Sequence, residues 1–187
     1  MLTPSRPTFT LAHKICAPLA IGRPEFGTTW IGRYLEKTRS YSTIRLVVEL
    51  TLISTVLEQL LWTMLLLSPW GAACAALERI WLSLARMPGA WIHIILVAPL
   101  FETALLQLIP IKMISLFTSR PGVLVIVSAI IFAAWHTGFQ SIGVIPSGLI
   151  LGYVFVLKGR ESLGNAFCIT AAIHMLHNAI WFGRCFI

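Results

Sequence analysis

The chain has 187 residues, 57% of them hydrophobic and only 11% charged, with a mean hydropathy of +0.84. Fourteen Lys and Arg and seven Glu, with no Asp, cannot coat a water-facing globule of this length, so lipid is expected to solvate much of the surface. The net charge of +7 does not point to nucleic acid: Arg6, Lys14, Arg23, Arg33, Lys37, Arg39 and Arg45 all precede or open the first apolar run, where they meet anionic lipid headgroups.

Residues 1–27 are Pro-rich and lack periodicity, which predicts a loosely ordered cytosolic leader. His13 and Lys14 interrupt its weakly apolar stretch, so it is not a signal peptide. In 28–40, Trp30, Ile31, Tyr34 and Leu35 share one helical face, as in a short interfacial helix capped by Thr28 or Thr29; a plain linker fits the same residues. Residues 1–43 are thus set apart from a transmembrane domain at 44–187.

The first expected span is 44–68, long enough to cross a hydrocarbon core of ~30 Å. Arg45 and Glu49 are i,i+4 partners near its start. Glu58 lies deeper without a local partner and should face the protein interior. Trp70 closes the run in the manner of an interfacial belt. Residues 71–87 are amphipathic, a surface or re-entrant connection that Pro88-Gly89 ends. The second span, 90–117, holds His93, Pro99, Glu102, Gln107 and Pro110, with His93 near the interface as a structural residue. The third is 123–137, ending near His136. The fourth, 142–157, spaces Gly148 and Gly152 for close helix contact, and the fifth, 163–182, carries His174, His177 and Asn178. Cys16, Cys74, Cys168 and Cys185 are scattered without a CxxC pair, so free thiols are expected. The fold class is an all-α polytopic bundle of about five spans plus the interfacial helix. The cations at the N-terminus, Arg120, Lys158 and Arg160 place those segments in the cytosol.

Ionisable side chains in a bilayer are costly, at least ~2.5–3.5 kcal/mol for a carboxylate at mid-helix, so Glu102, His136 and His174 each need a reason. At a rise of about 1.5 Å per residue, Glu102 lies about 18 Å from the outer end of its helix, and His136 and His174 about 20 and 17 Å from the inner ends of theirs. All three share one broad layer. Along the helices, His174 and Asn178, Phe132 and His136, and Thr103 and Gln107 are i,i+4 pairs.

Those residues carry a resemblance. The segment Ala98-Pro99-Leu100-Phe101-Glu102-Thr103-Ala104-Leu105-Leu106-Gln107 resembles the first motif of the CPBP family, the CAAX-protease and bacteriocin-processing intramembrane proteases also called the Abi family. Phe132-Ala133-Ala134-Trp135-His136 resembles its second motif, FxxxH, and His174-Met175-Leu176-His177-Asn178 its third, HxxxN. Order and spacing agree over roughly residues 90–182. The family's first motif is more often EExxxR; here Thr103 and Gln107 replace a charged i,i+4 pair by a neutral, hydrogen-bonding one that costs less to bury.

The resemblance implies an intramembrane endopeptidase in a prokaryotic inner membrane. Its substrate would be a prenylated C-terminal peptide, a leader peptide or a membrane-protein segment. Glu102 would be the general base, His136 would hold the water or move a proton, and His174 and Asn178 would stabilise the oxyanion without a cofactor. Thr103, Gln107 and Phe132 would support them, with His177 as a partner of His174. The same Glu102, His136 and His174 also make a plausible zinc set with an open position for water. A proton-relaying transporter is disfavoured by the lack of an internal repeat. A catalytically silent scaffold or immunity factor stays open because of Thr103 and Gln107. Membrane lipid and a peptide or protein substrate are the expected partners.

Overall fold

The computed structural model of the chain describes residues 18–19, 30–136 and 140–184. Apart from Pro18 and Leu19, the expected leader, the Thr28 or Thr29 cap, Cys16 and Cys185 lie outside the described residues. Among the described residues there is no strand; eight helical segments follow one another. They are α1 (Trp30–Thr38), α2 (Thr43–Leu66), α3 (Gly71–Ala85), α4 (Ala90–Ser115), α5 (Pro121–Trp135), α6 (Gln140–Gly143), α7 (Ile145–Gly159) and α8 (Leu163–Arg184). Two of them, α4 and α8, are long and apolar enough to cross a membrane; α5 and α7 are apolar but only 15 residues each.

Helix α1 is tied to the bundle as well as being amphipathic. The Tyr34 hydroxyl donates to Glu49 Oε1 at 2.7 Å, and the Tyr153 hydroxyl of α7 donates to Leu35 O at 2.8 Å. Glu49 also forms the expected ion pair with Arg45, at 3.2 Å. Ser42 caps α2 by accepting from Arg45 N.

Helix α4 bends the α-helical rule twice. His93–Val97 and Thr103–Leu108 are π-helical turns, each directly ahead of an α-helical stretch with a proline in its first turn, Pro99 and Pro110. Proline has no N–H and its ring clashes with the carbonyl one turn back, so the turn before it widens. In the π register Ala98 N–H bonds His93 O and Ile109 N–H bonds Ala104 O, five residues back. The next donors in that register would be Pro99 and Pro110, which have none. The carbonyls of Ile94 and Leu105 are therefore released from the ladder.

Helix α7 is the hub. It packs against α5, α8 and α2, and its residues from Leu151 to Gly159 are buried except Tyr153. The expected GxxxG works as anticipated: a Cβ on Gly148 would lie 3.1 Å from Phe132 Cδ1, and one on Gly152 2.7 Å from Ser128 Oγ. The expected fourth run is split in two, because Pro146 starts α7 and Val144 turns the chain between α6 and α7. One core cluster joins Leu46, Leu50, Leu106, Phe132, Leu151, Val154 and Ile173 around the mid-bundle. A second, with Ile111, Leu124, Phe155 and Ala166, fills one end.

Short connections make successive long helices antiparallel. Arg45, Lys112, Arg120, Lys158 and Arg160 then fall at one end of the bundle. The end of α2, all of α3, the start of α4, the end of α5 and the end of α8 fall at the other.

Candidate active site

Glu102 sits at the end of the α-helical stretch between the two π turns of α4, and its side chain is 17% exposed. It points at α8, where Glu102 Oε2 lies 3.4 Å from Nε2 of the 5%-exposed His174. His136 is the first residue past α5, in extended conformation, and its Nδ1 donates to Phe132 O at 2.9 Å. The Phe132 ring stands between the two imidazoles, with centroids 4.9 Å from His136 and 5.6 Å from His174. Three expected residues thus gather in one place: the two imidazoles flank the Phe132 ring, and Glu102 contacts His174.

Asn178, one turn beyond His174, donates from Nδ2 to Ile94 O at 2.9 Å. That carbonyl is the one Pro99 releases. The widened turn therefore gives Asn178 a fixed acceptor on α4, and Asn178 in turn satisfies a backbone oxygen that lipid could not.

A cavity of about 550 Å³ runs along this group. Glu102, His136, His174 and Asn178 line it, together with Ala98 and Trp135. Glu78 and Leu82 of α3, Gln140 of α6 and Arg184 of α8 line it too. These belong to the bundle end opposite the cluster of cations. At that end the Arg184 guanidinium stacks over the Trp181 ring at 4.7 Å and donates to Gln59.

Two expectations need correction. Thr103 and Gln107 do not form a hydrogen-bonded pair, because they fall in a π turn, where residues four apart are not aligned. Gln107 instead accepts from Ser128 of α5 at 2.7 Å, while among the described residues its Nε2 and Thr103 Oγ1 have no hydrogen-bond partner. His177 does not partner His174; its Nε2 lies 3.1 Å from Glu58 Oε2 and its Nδ1 3.2 Å from Thr55 Oγ1. Glu58 faces the interior as expected, and it also lines the cavity with His177 and Ser147, a role its place in the sequence did not disclose. The only signal was a carboxylate with no partner on its own helix.

Among the described residues no three His, Cys, Asp or Glu side chains converge closely enough to hold a metal ion. Comparison with family models, with curated proteins and with solved structures finds no match for this chain.

Proposed function

We propose that the chain is an intramembrane endopeptidase of the CPBP type, with Glu102 as the base that activates water. The observation that carries this reading is the Glu102–His174 contact, flanked by His136 and Asn178, on the wall of a cavity inside an apolar bundle. Glu102 takes a proton from water as the oxygen attacks the scissile carbonyl. His136, its Nδ1 committed to Phe132 O, presents Nε2 to that water. Asn178 Nδ2 carries two hydrogens; one bonds Ile94 O, and the second is available with His174 for the developing oxyanion.

Five spans fit the same proposal: α2, α4, α5, α7 and α8. Val48, Leu52, Val56 and Leu60 leave a continuous apolar stripe on the outside of α2, and Ile126 and Ile130 extend one along α5, as lipid contact requires. With the cation-rich end cytosolic, the cavity lies in the non-cytosolic half. The substrate is then a peptide segment reaching the site from the lipid or from that side. A prokaryotic inner membrane is the setting the resemblance implies.

The test uses the full chain in lipid nanodiscs with a library of quenched fluorogenic peptides bearing an apolar anchor. Wild type should cleave a subset, Glu102→Gln should lose about 10²–10⁴-fold in rate while remaining folded, and a chelator should change nothing. Loss of activity on chelation and its return with zinc would replace the metal-free mechanism by the zinc one. Equal cleavage by Glu102→Gln would overturn both.

A further inference from the structure

The cavity holds a second carboxylate–imidazole pair to which the mechanism above gives no task. Glu58 of α2 and His177 of α8 meet at 3.1 Å between Oε2 and Nε2, with side chains 13% and 7% exposed. The hydroxyls around them fix where the protons lie. Thr55 has a single hydroxyl proton and places it on Thr51 O at 2.9 Å. In the 3.2 Å contact between Thr55 and His177 Nδ1, the ring N–H is then the donor. Ser147 donates to Glu58 Oε2, and Ser147 and Ser54 share a hydrogen bond of 2.8 Å.

With the ring proton on Nδ1, an unprotonated Nε2 would set its lone pair against a carboxylate oxygen. The 3.1 Å contact is favourable only when the pair carries one further proton between Nε2 and Oε2. The Glu102–His174 contact differs: it is longer, at 3.4 Å, and among the described residues His174 Nδ1 has no partner to fix its tautomer. His174 and His177 are i,i+3 on one helix, so the two pairs stand one turn apart on the same cavity wall.

We propose that Glu58–His177 is the proton donor to the leaving amine, complementing Glu102; the proposal rests on the hydrolase reading above. Water gives one proton to Glu102 as its oxygen bonds the carbonyl carbon. The C–N bond then breaks as the nitrogen takes the proton shared by Glu58 and His177. The carboxyl and amine products leave, and one proton passes from Glu102 back to the pair through cavity water, which restores both. A bare clamp among α2, α7 and α8 would use the same hydrogen bonds but would be indifferent to the leaving group.

The experiment compares a cleaved peptide with the matching peptidyl p-nitrophenyl ester, whose phenolate departs without a proton. Wild type, Glu58→Gln, His177→Gln and Glu102→Gln are assayed in nanodiscs. Glu58→Gln and His177→Gln should lose about 10²-fold in kcat on the amide, with KM within about threefold, and no more than about threefold on the ester. Glu102→Gln should lose on both. The amide-to-ester ratio within one preparation cancels any difference in folded fraction. Parallel loss on amide and ester, or no loss on the amide, would make the pair a clamp and overturn the proposal. If Glu102→Gln is inactive while Glu58→Gln keeps the wild-type ratio, only the donor role fails. If wild type and Glu102→Gln cleave neither compound, the hydrolase reading fails and the donor role falls with it.

Discussion

Substitution of Gly152 by Ala probes a close approach of α7 to α5. The added Cβ would lie 2.7 Å from Ser128 Oγ, 3.3 Å from Val125 O and 3.4 Å from Gln107 Oε1. Ser128 Oγ is the donor that holds Gln107 Oε1, and both side chains are fully buried. Contact with Val125 O pushes α5 and α7 apart, and contact with Ser128 Oγ also turns Ser128 away from Gln107. Overpacking costs about 1–3 kcal/mol, and leaving a buried amide oxygen unpaired about 1–3 kcal/mol more. Alanine's better helix propensity returns about 1 kcal/mol, so the net loss should be about 1–5 kcal/mol. Denaturant titration of the detergent-solubilised protein, followed by tryptophan fluorescence, measures it. Ser128→Ala removes the atom that collides, so adding Gly152→Ala to that variant should cost less by at least about 1 kcal/mol. A Gly152→Ala protein within about 0.5 kcal/mol of wild type, or strict additivity with Ser128→Ala, would refute the account of this contact.

Pro99→Ala supplies an N–H that competes with Asn178 for Ile94 O, so peptide turnover should fall about 3–10-fold, the weight of one hydrogen bond; an unchanged kcat would detach Asn178's anchoring from catalysis. Burial, aided by the Glu49 carboxylate, raises the Tyr34 phenol above its usual value of about 10. The neutral phenol's contribution to stability is therefore full below about pH 10 and lost as pH rises beyond it, and Tyr34→Phe should unfold with a shallower alkaline decline than wild type. An identical alkaline decline would show that Tyr34 is not responsible. Cysteines placed at Arg120 and at the exposed Glu161 should label from the cytosolic side of intact cells and one at Ser83 from the other; Lys158 itself is too buried to serve. Labelling of positions 120 and 161 from opposite sides would end the five-span arrangement.

Much of the arrangement was legible because a bilayer makes polar residues conspicuous. Glu102, His136 and His174 stood out against apolar helices, and the i,i+4 step from Phe132 to His136 anticipated their ring contact. The same periodicity misled at Thr103 and Gln107, since spacing assumes an α-helix and Pro110 imposes a wider turn. Glu58 and His177 were individually visible, but their meeting joins residues 119 positions apart on two helices, and no local pattern encodes that contact. The Arg45–Glu49 pair was legible for the opposite reason, being one helical turn long.

The two proline-led turns also set the rotational phase of α4. In an unbroken α-helix, residues five apart point about 140° away from one another. Glu102 lines the cavity, yet Gln107, five residues on, is wholly buried against Ser128. The widened turn between them is what lets one helix aim both inward. Its two halves are thus keyed separately, one to α8 and one to α5. Winding the same residues as unbroken α-helix, with none removed, would swing one half by about 100° relative to the other. With the Gln107 half still docked, the carboxylate of Glu102 would be carried off the cavity wall and toward lipid.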